Sequence, residues 1–137
     1  MNKKKFIMAS LILIGAAFIT SCKKEKVKGC TTSYATNYNS SAEEDDGSCT
    51  YEGSLVFWTP PTTTAAIDVY LDGQLQGNIG VTFPSAPSCG QTGALTVKKS
   101  LGTSKLINCT LHATDGTNTW DNTVTFEANK CVSYKIY

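Results

Sequence analysis

The chain has 137 residues with twelve lysines, no arginine, eleven acids and a single histidine, for a formal net charge of +1. Seven of the lysines precede Gly29, so from there onward five lysines stand against ten acids and the body carries a charge of −5. An acidic, arginine-free body gathers phosphates poorly, which argues against nucleic acid as a partner. One histidine and no C-x-x-C or Cys/His cluster argue against a zinc or thiol-redox centre.

Lys3, Lys4 and Lys5 open the chain, and Phe6 to Ile19 is an apolar run shorter than the roughly 20 residues that a spanning helix needs. It ends in Ile19-Thr20-Ser21-Cys22, an aliphatic residue and two small polar ones before a cysteine. This stretch resembles a bacterial lipoprotein signal with its lipobox. The resemblance implies that residues 1–21 are a signal peptide and that Cys22 is diacylated on sulfur, becomes the mature N-terminus and is then N-acylated. At about 0.8 kcal/mol per buried methylene, two or three acyl chains hold a protein on a membrane permanently. The alternative is an ordinary signal peptide in which Cys22 is incidental. Residues 22–28 then form a basic tether, Lys23 to Lys28, placed to lie against anionic headgroups or to act as a solvated spacer. Lys23 is not an acidic residue of the kind that retains some lipoproteins in an inner membrane, so an outer-membrane location, facing outward or inward, is expected.

Residues 29–52 are rich in Ser, Thr, Asn and acids, poor in aliphatics, and bracketed by Cys30 and Cys49. The run Gly29-Cys30, then Ala35-Thr36-Asn37-Tyr38-Asn39, Ala42, and Asp45-Asp46-Gly47-Ser48-Cys49-Thr50-Tyr51 resembles a short spacer module of secreted Bacteroidota proteins. It departs from that pattern where the module usually has Asp-Pro after the first cysteine and Pro after the NYN; Thr-Ser and Ser40 stand there. The resemblance implies an extracellular spacer, and the lost prolines imply a looser turn. Asn37, Asn39, Asp45 and Asp46 offer hard oxygens to a calcium ion. Their spacing is not that of an EF-hand loop, and Asp-Asp-Gly-Ser is also a good turn in which Asx side chains bond the local backbone. Turn chemistry outweighs calcium here.

From residue 53 to 137 strand signals recur at short intervals. Ser54 to Trp58 is an apolar run ended by Pro60-Pro61. Ile67, Val69 and Leu71 alternate with Asp68 and Tyr70, and Asp72-Gly73 predicts a type I′ hairpin into Gln74 to Ile79. A long Pro/Ser/Gly loop with Cys89 follows, then Ala94 to Lys99. In Lys105 to Thr114, Ile107, Cys109, Leu111 and Ala113 share one face and Asn108, Thr110, His112 and Thr114 the other. Asp115-Gly116 turns the chain into Thr119 to Ala128, with Trp120, Val124, Phe126 and Ala128 inward, and Cys131 to Tyr137 is the last strand and a candidate edge. About seven strands and no helical periodicity predict an all-β fold: a small antiparallel β-sandwich behind a disulfide-closed irregular module.

The body also resembles a group of small Bacteroidota lipoproteins of uncharacterised function. Gly53-Ser54-Leu55-Val56-Phe57-Trp58, Ile67 to Gly73, Pro87-Ser88-Cys89-Gly90, Trp120 and Cys131 carry that likeness. Other members have further cysteines where this chain has Thr64 and Ala94, so no disulfide map is inherited.

Five cysteines follow Cys22, an odd number that leaves at least one thiol free or paired with another chain. Cys30–Cys49 is expected because the two bracket a segment too poor in aliphatics to hold itself. Closing a loop of that length stabilises by about 3 kcal/mol. Among the rest, Cys89–Cys131 is favoured, since a loop and a strand start both reorient freely; Cys109–Cys131 is the second choice. Cys109, mid-strand among inward residues, reads as a buried thiol.

His112 is the one candidate for neutral-pH acid–base work, and on a polar strand face it reads as a surface residue without a catalytic partner. Trp120 fits the core, whereas Trp58, at a strand end before two prolines, is the candidate platform for stacking a sugar. The expected function is therefore that of a non-enzymatic, membrane-anchored surface lipoprotein, a structural or interaction module with no cofactor besides its covalent lipid. Its partners are the membrane, through that lipid, and a protein or glycan. A glycan- or calcium-assisted binding module is the alternative, and a small envelope hydrolase or hydrolase inhibitor comes third.

Overall fold

A computed structural model describes residues 24–62 and 66–137; the signal segment and Cys22 lie outside the described residues. Among the described residues there are nine strands and no helix. They are β1 (Lys28–Gly29), β2 (Glu44–Asp45), β3 (Tyr51–Trp58), β4 (Ile67–Leu71), β5 (Gln74–Ile79), β6 (Leu95–Gly102), β7 (Leu106–Thr114), β8 (Thr119–Glu127) and β9 (Cys131–Lys135). The last seven form the expected sandwich, a three-stranded sheet in the order β6-β3-β9 facing a four-stranded sheet in the order β5-β4-β7-β8.

Alternation decides which side chains meet between the sheets. Leu55 and Phe57 of β3, Ile67, Val69 and Leu71 of β4, Cys109, Leu111 and Ala113 of β7, and Val124 and Phe126 of β8 are all buried in one cluster. The Asp72-Gly73 turn has both residues in the left-handed region, φ 50° and 78°, as the type I′ hairpin requires. One pairing departs from an all-antiparallel sandwich: β9 runs parallel to β3, Ser54 opposite Cys131 through Trp58 opposite Lys135. The return from β8 makes this direction possible. The chain turns at Ala128 to Lys130, with Asn129 N–H donating to Glu52 C=O at 2.8 Å, and sets off beside β3 from its own beginning.

β3 is buried on both faces, since Val56 and Trp58, which point away from the core cluster, are 0% and 8% exposed. Their side of the sheet is crossed by the segment between β5 and β6. Phe83 N–H donates to Thr59 C=O at 2.9 Å, Phe83 and Pro87 are buried, and the Cys89–Cys131 disulfide fastens the segment to β9. Covered twice, β3 needs the near-continuous apolar run that its sequence has.

The other disulfide is Cys30–Cys49, and Cys109 is the free cysteine among the described residues. The module these two cysteines close does not stand apart from the sandwich. Cys30, Ala35, Cys49 and Tyr51 belong to the same buried cluster as the inter-sheet residues. Tyr34 stacks on Tyr51 at 5.6 Å, while Tyr38 is exposed. The parallel bridge of β1 with β2 folds the chain before Cys30 back onto the module.

Where the chain leaves β8 it passes so close to β3 that a Cβ on Gly53 would lie 2.5 Å from Glu127 O. Backbone cannot yield as a side chain does, so Gly53→Ala should lower unfolding free energy by about 1–3 kcal/mol in denaturant titrations. Gly80→Ala, whose Cβ would meet nothing nearer than 3.6 Å, should change it by less than about 0.5 kcal/mol.

Candidate functional site

The sheets splay along one side, where the edge strands β8 and β9 face each other across an open cleft of about 360 Å³. On β8 the inward positions are Phe126, Val124, Asn122 and Trp120. The first two are buried, Asn122 is exposed and Trp120 is half-buried. On β9 Tyr134 packs on Phe57 at 5.9 Å, and Ile136 just beyond the strand is buried. Trp120 and Asn122 thus form one wall and Tyr134 and Ile136 the other, with buried Leu111 at the back and Asp121, Lys135 and Tyr137 at the rim.

Two contacts fix this geometry. Asn122 Nδ2–H donates to Tyr134 Oη at 2.7 Å across the cleft, and Asn122 Oδ1 accepts the Thr123 N–H at 2.8 Å. Lys135 holds its ammonium 4.5 Å from the Tyr137 ring centroid and 5.8 Å from that of Trp58, within the distance at which a cation is attracted to an aromatic face.

Of the two tryptophans, Trp58 departs from the reading of it as an open platform, whereas Trp120 packs against the core cluster as expected. Trp58 is buried beneath Lys135 and the segment before β6, so its face is not open for stacking. Its sequence position, ahead of two prolines, marks a strand end but carries no information on what crosses above it. Trp120 alternates inward as anticipated, yet it lies where the sheets part and so stands half-open in the cleft. The clue in the sequence is Asn122, a polar residue on the inward face between Trp120 and Val124.

His112 does have a partner. Its ring lies 5.8 Å from Tyr70, and its Nδ1 pairs with Asp121 Oδ1 at 2.7 Å, on the outer face of the four-stranded sheet. His112 and Asp121 are cross-strand neighbours, a juxtaposition that only the β7–β8 register reveals. Burial pushes the Cys109 thiol above its ordinary value, which lowers its thiolate fraction and suits an inert core residue.

The four oxygen-bearing residues are engaged with backbone groups of the module itself. Asn37 Oδ1 accepts the Thr50 N–H at 2.8 Å and its amide donates to Ser48 C=O at 2.7 Å. Asn39 Oδ1 accepts from Ser41 N–H, Asp45 Oδ1 from Gly47 N–H and Asp46 Oδ1 from Ser48 N–H. The last three are Asx-turn bonds, whereas Asn37 ties the Ser48–Thr50 segment across the module. Among the described residues no three His, Cys, Asp or Glu side chains gather as a metal-holding group.

No protein-family model, curated protein or solved structure matches this chain.

Two measurements check this description. Acrylamide should quench Trp120 emission, observed in Trp58→Phe, more strongly than Trp58 emission, observed in Trp120→Phe. The second is acid sensitivity. Ser48 holds Asp46 below the ordinary 3.8, the Thr110 amide does the same for Asp72, and the Asn118 amide for Asp115. The unfolded chain takes up these protons at a higher pH than the folded one. Their contribution is thus complete above 3.8 and lost as pH falls through the lowered native values. The urea midpoint should drop on acidification to about pH 3 and below, and less steeply in Asp72→Asn/Asp115→Asn.

Proposed function

We propose that this protein is a lipid-anchored lipoprotein of the cell envelope that displays a binding cleft and performs no chemistry of its own. The observation that carries this reading is the placement of tether and cleft at opposite ends of one strand. Residues 24–29 and the disulfide-closed module sit at the Tyr51 end of β3. The cleft, built from Thr119 to Asn122 and Tyr134 to Tyr137, lies beside and beyond its Trp58 end. The eight residues of β3, at about 3.3 Å each, separate the two by roughly 26 Å. A chain held on a membrane at Cys22 then presents the cleft away from the lipid. Cys30–Cys49 and Cys89–Cys131 are compatible with an oxidising extracytoplasmic compartment, and the Ile-Thr-Ser-Cys ending of the apolar run supplies the anchor.

The non-enzymatic part rests on His112. Its nitrogen is engaged by Asp121 on an open sheet face flanked by Tyr70. That pair lacks the aligned nucleophile and the water-excluding pocket that general-base catalysis uses.

Cells expressing the full chain should incorporate labelled palmitate into the membrane fraction, and Cys22→Ser should abolish the label. Persistent labelling of Cys22→Ser would remove the anchor from the proposal. Turnover of an ester, peptide or glycoside by the purified chain, lost in His112→Ala, would show it to be an enzyme instead.

A further inference from the structure

We infer that the cleft between β8 and β9 is a saccharide-binding site, an assignment that rests on the display function above and names its ligand class. A sugar ring offers apolar C–H faces and a rim of hydroxyls that both donate and accept. The cleft matches both parts. Trp120, Tyr134 and Tyr137 supply aromatic surface on two walls and the rim, and such rings pair an apolar body with polar edges. Between them stand Asn122, whose amide both donates and accepts, and the Tyr134 hydroxyl. The volume, about 360 Å³, falls at the lower end of the range of roughly 300–1,000 Å³ for small-ligand sites.

The polar groups are set before any ligand arrives. Tyr134 Oη accepts the Asn122 amide proton, so its own O–H is left to point elsewhere and can donate to a ligand oxygen. Its ring is packed against Phe57, and Lys135 is held over Tyr137. Groups fixed in this way lose little freedom on binding. Asn122 is itself the second sign of a site. It stands at an inward position where an apolar side chain would have drawn the sheets together, and a departure from the local pattern of this kind is expected where function is served. An aliphatic lipid chain would desolvate Asn122 and the Tyr134 hydroxyl without pairing them. A saccharide pairs them.

The test uses the full chain in detergent, labelled with ¹⁵N and titrated with short oligosaccharides of neutral hexose, N-acetylhexosamine and hexuronic acid. At least one series should shift the Trp120 indole N–H and the amides of residues 119–122 and 134–137 in a saturable way. Asn122→Ala and Tyr137→Ala, both at exposed positions, should each weaken binding by about three- to tenfold with an unchanged melting temperature. Lys98→Ala, near the other end of β3 opposite Ser54, should leave binding intact. If none of the three series moves these resonances, or if the shifts survive both cleft substitutions, the assignment falls. Capture of an envelope protein that Tyr137→Ala prevents, with no response to saccharides, would replace the ligand class and keep the displayed module. Loss of the anchor alone would leave saccharide binding standing.

Discussion

Leu55, Val56, Phe57 and Trp58 are consecutive residues of one strand, all buried, and that burial demands two covers. The four-stranded sheet provides the first and the segment between β5 and β6 the second. Each buried side chain of this size contributes on the order of 1.5–3 kcal/mol, so β3 is where a body of this size concentrates its hydrophobic stabilisation. The rest of the molecule is arranged around it. Cys89–Cys131 keeps the outer cover closed, β6 and β9 pair with its two edges, and the cysteine-bracketed module abuts its first residue through Tyr51. The close pass of Gly53 under Glu127 is part of the same arrangement, because a bulkier residue there would push the end of β8 off the strand it helps to cover.

How much of this could be read beforehand depended on whether the cause was local. Period-two alternation marks faces, so Ile107, Cys109, Leu111 and Ala113 could be placed on a common side, and the Asp72-Gly73 hairpin follows from two residues that tolerate positive φ. The two disulfides could be chosen because one pair brackets a segment without aliphatics and the other joins a loop to a strand start. What escaped was coverage. Alternation says which way Trp58 and Trp120 point, but not that a loop with Phe83 and Pro87 seals one, nor that the sheets diverge over the other. The parallel direction of β9 was hidden for a related reason. A short connection after β8 suggests a hairpin, whereas here the chain crosses to the opposite sheet. Register, too, is a tertiary fact, which is why Asp121 could not be matched to His112 in advance. Composition suggested a separate module before the sandwich, yet Cys30, Ala35 and Cys49 share its core.

The cleft illustrates how a sandwich makes room without a hole in its centre. Phe126 and Val124 close the inter-sheet space at one end of β8, and the substitution of an amide at the next inward position lets it open toward the other. Asn122 and Tyr134 bridge the gap with a hydrogen bond instead of apolar contact, which keeps the walls at a set distance. Core and cleft are therefore consecutive stretches of the same two facing strands, and the boundary between them is one residue wide.

The parallel run of β9 beside β3 also has a mechanical side. If the chain is held at the Tyr51 end of β3 and pulled through something gripped by Tyr134 to Tyr137, the two ends of the load lie on neighbouring strands that point the same way. Tension then acts along the strands, so the hydrogen bonds from Ser54–Cys131 to Trp58–Lys135 are strained together in shear. A hairpin pulled at its open end would part them one at a time. Cys131, fastened to Cys89, ties the first rung of that ladder to the segment before β6.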